Sequence, residues 1–123
     1  MDMTTLNNLQ DRYRTFVAER DWNQFHTPKN LAEAISIEAN ELLEVFLWHD
    51  NHEPEEVQKD PELKSRIEEE LADVVIYSIA IATQLDIDIV DAVEKKMDAL
   101  MKYIVGESEN CLDNLFQRLS TRF

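Results

Sequence analysis

Glycine occurs once in this chain of 123 residues, and proline three times. That scarcity constrains the fold more than any other feature, because tight hairpin turns draw on glycine for positive φ and a sheet protein needs many of them. What remains is rich in Leu, Ile, Ala, Glu and Lys, residues that lose little on entering a helix. The expectation is an all-α fold of the four-helix-bundle type with short connections. With 44% hydrophobic residues the length fits one compact domain, small enough to benefit from association with further copies.

Apolar spacing of three and four residues places the helices. The first is expected from Thr5 to Arg20, with Leu6, Leu9, Tyr13, Phe16 and Val17 on one face. Thr27 before Pro28 reads as an N-cap with proline in the first helical position. The helix it opens carries Leu31, Ile35, Leu42, Val45, Phe46 and Trp48 and is expected to end near His49. The charged stretch HEPEEVQKDP reads as an exposed connection, and Asp60 before Pro61 caps a long helix through Ile67, Leu71, Val74, Ile81 and Leu85. Its run from Leu71 to Ala82 is apolar almost all round, which implies packing on several sides as a central or interface helix. Asp86 and Asp88 bracket a break before a last bundle helix carrying Ile89, Val93, Met97, Leu100 and Ile104. Gly106 then reads as a left-handed cap. Residues 1–106 form the expected domain, followed by a tail or short docking helix over 107–123.

A formal net charge of −14 argues against polymeric nucleic acid as a ligand, since phosphate neutralisation needs a basic surface. Cys111 is the only cysteine, so neither an intrachain disulfide nor a zinc-cysteine cluster is available. The first residues lack the pattern of a signal peptide and no run reaches the roughly 18 apolar residues of a membrane span, so a cytoplasmic protein without membrane contact is expected.

Two short acidic pairs interrupt otherwise apolar helical sequence: Glu38 and Glu41 in IEANELLEVFLW, and Glu70 and Asp73 in EEELADVVIY. Residues three apart share a helix face, so each pair points its carboxylates in one direction. Isolated pairs of this kind are usually solvated surface. Here the neighbours are Ile35, Ile37 and Leu42 in one case and Ile67, Leu71, Val74 and Val75 in the other, which leaves little room for solvent. If the two helices pack side by side, four carboxylates converge, and their repulsion requires protonation or a cation. An all-oxygen set suits a hard cation, with Mg²⁺ and a phosphate-bearing ligand the best match. A di-iron carboxylate site would need Glu-x-x-His pairs, which the chain does not contain. Trp48, seven residues after Glu41, and Tyr77, four after Asp73, fall on the same faces as their acidic pairs, either to meet a nucleobase or as core aromatics.

With Glu38/Glu41 on one helix and Glu70/Asp73 on the next, the chain resembles the MazG-like all-α nucleoside triphosphate pyrophosphohydrolases. The segment RDWNQFHTPKNL, from Arg20 to Leu31, is similar to that of the dCTP pyrophosphatase branch. The resemblance implies hydrolysis of a nucleoside triphosphate such as dCTP to the monophosphate and pyrophosphate, with Mg²⁺ held by Glu38, Glu41, Glu70 and Asp73. It further implies a base and sugar pocket at Trp22, His26, Asn30, Trp48 and Tyr77, and assembly as a homodimer or homotetramer. For a reaction of that kind Glu41 is the expected general base, Glu44 the second candidate, and Lys96 and Lys102 the candidate phosphate contacts. Two departures stand out: no Asn lies between Lys95 and Lys102, and Ile104 follows Tyr103 where the family has Pro. The competing readings are a non-enzymatic helical interaction module and a nucleotide sensor without turnover.

Overall fold

The structure, a computed structural model, describes residues 3–48 and 53–106. His49, His52, Cys111 and the expected tail over 107–123 lie outside the described residues. Five helices and no strand are found among the described residues: α1 (Leu6–Glu19), α2 (Pro28–Glu44), α3 (Pro54–Gln58), α4 (Pro61–Gln84) and α5 (Ile89–Gly106). The all-α expectation holds.

Polar side chains and prolines set the helix starts. At α1 the Thr5 hydroxyl accepts from the Asn8 N–H (3.2 Å) and the Asn8 side chain accepts from the Thr5 N–H (2.9 Å), a reciprocal cap that satisfies two otherwise unpaired donors. At α2 the Thr27 hydroxyl accepts from the Asn30 N–H (3.2 Å), and at α4 the Asp60 carboxylate accepts from the Leu63 N–H (3.1 Å). The chain turns after α1 and after α4 through Asp21 (φ 55°) and Asp86 (φ 52°), left-handed positions that a glycine-poor sequence fills with a short polar residue.

The chain divides into two compact units, Met1–Asp88 and Ile89–Phe123. In the first, α4 is the hub: it packs most extensively on α2, then on α1 and α3. Val17, Leu31, Val45, Leu63, Ile79, Ala80 and Ala82 form its core. Gln10 is buried with them, and its amide donates to the Ile87 carbonyl (2.7 Å), fastening α1 to the loop that follows α4. The second unit contains α5, whose Val93, Met97, Leu100 and Met101 are exposed.

Two expectations require correction. The second helix does not run to His49: α2 ends at Glu44, where Phe46 N–H bonds the Leu43 carbonyl and Leu47 N–H the Glu44 carbonyl (both 3.1 Å), tightening the chain into i to i−3 turns. The charged connection is mostly exposed over its described residues, as expected, and it carries a short helix, α3, supported by proline in a first-turn position and by first-turn Glu55 and Glu56. Gly106 is not a left-handed cap; it lies within α5, and no described glycine has positive φ.

Candidate metal centre

The packing of α2 on α4 follows a seven-residue stripe on each helix, and the acidic residues sit inside those stripes. Leu31, Glu38 and Val45 are spaced by seven, so they share one face; Leu31 and Val45 are buried and Glu38 between them is half-buried. On α4 Leu63, Glu70 and Tyr77 repeat the pattern, and Asp73 stands seven residues before Ala80, which is fully buried. The carboxylates therefore occupy positions that a plain helix pair would give to leucine.

The structure brings Glu38, Glu41 and Glu70 together: one carboxylate oxygen from each lies within 4.8 Å of the others. One turn of sequence spacing on α2 and one interhelical contact thus produce a three-carboxylate cluster. Glu41 is its exposed member. Glu38 Oε2 and Glu70 Oε2 are buried and have no hydrogen-bond partner, a costly state for a charged oxygen.

Burial, followed by the charge of Glu41 and then by Asp73 and Glu70, pushes the Glu38 carboxyl above the usual carboxylate range. Burial, then Glu41 and Asp73, does the same for Glu70. Asp73 is half-buried and close enough to act on both, although its oxygens are not part of the 4.8 Å cluster. The two acidic pairs do face one another. Orphaned buried oxygens in an all-oxygen, net-negative cluster fit a hard divalent cation, which would satisfy both and relieve the repulsion.

The aromatic residues fall into two groups. Trp22, His26 and Phe16 cluster where α1 turns toward α2: the Phe16 and Trp22 rings meet edge to face at 5.4 Å, and the Trp22 and His26 rings are tilted at 6.0 Å. Trp48 does not keep the helical register that aligned it with Glu41, because α2 has ended four residues earlier; its ring is 88% exposed. Tyr77 is half-buried on α4 beside Tyr13 of α1.

The remaining candidates divide along structural lines. The Asn30 side chain donates to the Phe25 carbonyl (3.2 Å), so it braces the turn before α2. Glu44 accepts from the Asn40 amide (3.2 Å) on the exposed face of α2 and is outside the cluster. Lys96 and Lys102 are exposed on α5. Sequence reading missed Tyr13, whose hydroxyl lies 2.6 Å from His26 Nδ1. Its place on the apolar face of α1 made it look like core, and spacing alone holds no sign of a polar partner thirteen residues away.

Comparison with known proteins identifies the family. The MazG-like family model matches residues 34–115. Over 94 residues the chain is 42% identical to dCTP pyrophosphatase 1 of Mus musculus and of Homo sapiens, covering 76% of this chain and 55% of each relative. The chain thus spans about half the length of the curated relatives it matches. A crystal structure of a pyrophosphatase from Archaeoglobus fulgidus superposes with a TM-score of 0.67 at 36% identity, covering 84% of this chain and 94% of that one. By the family match over residues 34–115 and the fold shared with the archaeal pyrophosphatase, the chain belongs to the MazG-like family.

Proposed function

We propose that the chain is a Mg²⁺-dependent pyrophosphohydrolase that cleaves a deoxynucleoside triphosphate such as dCTP to the monophosphate and pyrophosphate. The observation that carries this reading is the trio Glu38, Glu41 and Glu70 with two buried, unpartnered oxygens. Similarity to dCTP pyrophosphatase 1 and to an archaeal pyrophosphatase supports the same chemistry.

In this reading Glu38 and Glu70 hold the cation with their orphaned oxygens, and Asp73 contributes further negative charge beside them. Magnesium bound there supplies charge neutralisation for the phosphate chain and a water of lowered pKa. Glu41, exposed at the mouth of the cluster, accepts the proton of the attacking water, and Glu44 one turn on is the second candidate for that role. Trp22, His26, Asn30, Trp48 and Tyr77 are proposed to line the base and sugar pocket.

The active form is proposed to be a homodimer or homotetramer. Leu71 and Ile76 of α4 are about half exposed, and a groove of about 760 Å³ between α1 and α4 is lined by Leu9, Phe16, Leu71, Val75 and Ile76, among others. An apolar surface of this kind is favourable to cover. No described helix is long and apolar enough to cross a membrane.

Incubation with a panel of nucleoside triphosphates and Mg²⁺, with product identification, tests the reading. Pyrophosphate and monophosphate are expected from wild type, and at least about a hundredfold less from Glu38→Gln or Glu70→Gln. Release of single phosphate, or no turnover of any nucleotide, would reject it.

A further inference from the structure

The Tyr13 hydroxyl and His26 Nδ1 are 2.6 Å apart, and the two rings lie end to end and nearly parallel, with centroids 6.3 Å apart and 17° between their planes. Either atom can donate in such a pair. A phenol is a strong donor and a weak acceptor, whereas a neutral imidazole nitrogen is a strong acceptor, so the favourable arrangement is O–H to Nδ1. Burial, with Tyr77 alongside, raises the pKa of the Tyr13 phenol and keeps it protonated. Among the described residues that O–H has no second partner, and reversing the bond would strand it in a half-buried site. With Nδ1 occupied as an acceptor, the ring's proton resides on Nε2.

The location gives that proton a use. His26 is half-buried, with the tilted Trp22 ring 6.0 Å away and Tyr13 end-on at its Nδ1 edge. Tyr77, the neighbour of Tyr13, lies one turn along α4 from Asp73. Through Tyr77 the dyad adjoins the face of α4 that carries Asp73, whose charge acts on Glu38 and Glu70, so a nucleotide with its phosphates at the acids can set its base against the dyad.

We propose that Tyr13 is a positioning residue that locks His26 as the Nε2–H tautomer, so that this N–H donates to a ring carbonyl or ring nitrogen acceptor of the substrate base. The inference rests on the pyrophosphohydrolase reading for the identity of the ligand, but the tautomer can be read without turnover.

Long-range ¹H–¹⁵N correlation of the His26 imidazole at neutral pH is expected to show Nε2 protonated and Nδ1 bare in wild type, and a mixture of tautomers in Tyr13→Phe. Adding dCTP with Mg²⁺ is expected to shift the Nε2 resonance. In steady-state assays Tyr13→Phe is expected to raise KM for dCTP about five- to tenfold, with kcat within about twofold, as for loss of a single uniform binding contact. An Nδ1–H tautomer in wild type, an Nε2 resonance that ignores dCTP, or a Tyr13→Phe protein with wild-type tautomer and KM would overturn the proposal. An Nε2 shift on dCTP binding without pyrophosphate release would uphold it and reject the catalytic reading instead.

Discussion

Replacing Leu31 by Ala tests whether the seam between α2 and α4 is what assembles the carboxylates. Leu31 is 2% exposed and stands two turns before Glu38 on the same face of α2. Truncation removes three buried carbon groups at about 0.8 kcal/mol each, roughly 2.4 kcal/mol of transfer free energy. The cavity left behind adds to this, so a total of about 3–4 kcal/mol is expected. For a unit of this size that lowers the thermal midpoint on the order of 12–30 °C. Leu31→Met, which conserves volume, should cost less than about 1.5 kcal/mol. Thermal and urea unfolding followed by far-UV circular dichroism, in chelator and again with Mg²⁺, give both quantities. The Mg²⁺ concentration needed for half-maximal stabilisation should rise in Leu31→Ala and stay near wild type in Leu31→Met. A loss below about 1 kcal/mol for Leu31→Ala, or equal losses for the two variants, would refute the seam.

Two further outcomes follow from the site and its frame. Glu38 and Glu70 have folded pKa values above the unfolded one, so below pH 4.5 both states hold their protons and stability is at its fullest. As pH rises through the folded values the native state gives up protons it was favouring, so the urea midpoint of metal-free protein should fall and then level off. Glu38→Gln should flatten that decline, whereas a wild-type decline that survives the substitution intact would place its origin elsewhere. Thr27→Ala removes the hydroxyl that caps α2 and should cost about 1 kcal/mol, measured by urea unfolding, with Thr27→Ser close to wild type.

Much of this was legible in the sequence because it depended on local chemistry. Thr27–Pro28 and Asp60–Pro61 mark helix starts whose capping bonds involve residues only three positions away, and the helices begin there. The acidic pairs were legible for a similar reason, since spacing fixes the face and apolar neighbours reveal that the face is inward. The end of α2 was not, because no glycine or proline marks Val45–Trp48 and the change to tighter turns arises from how that segment settles after the helix. Trp48 lost its alignment with Glu41 as a result. Asp73 and Glu70 looked equivalent in sequence; only interhelical packing distinguishes the residue whose oxygen joins Glu38 and Glu41 from the one set beside them. Tyr13 shows the opposite limit, where a polar partnership hides on a face that periodicity assigns to the core.

The interleaving of Leu31, Glu38 and Val45 with Leu63 and Glu70 makes helix register and ligand spacing a single mechanical coordinate. Sliding α2 along α4 by one turn would displace the acidic residues by about 5.4 Å and at the same time unseat the leucines that flank them. Distances within the cluster are thus gauged by the side chains of the seam, much as teeth set the mesh of two gears.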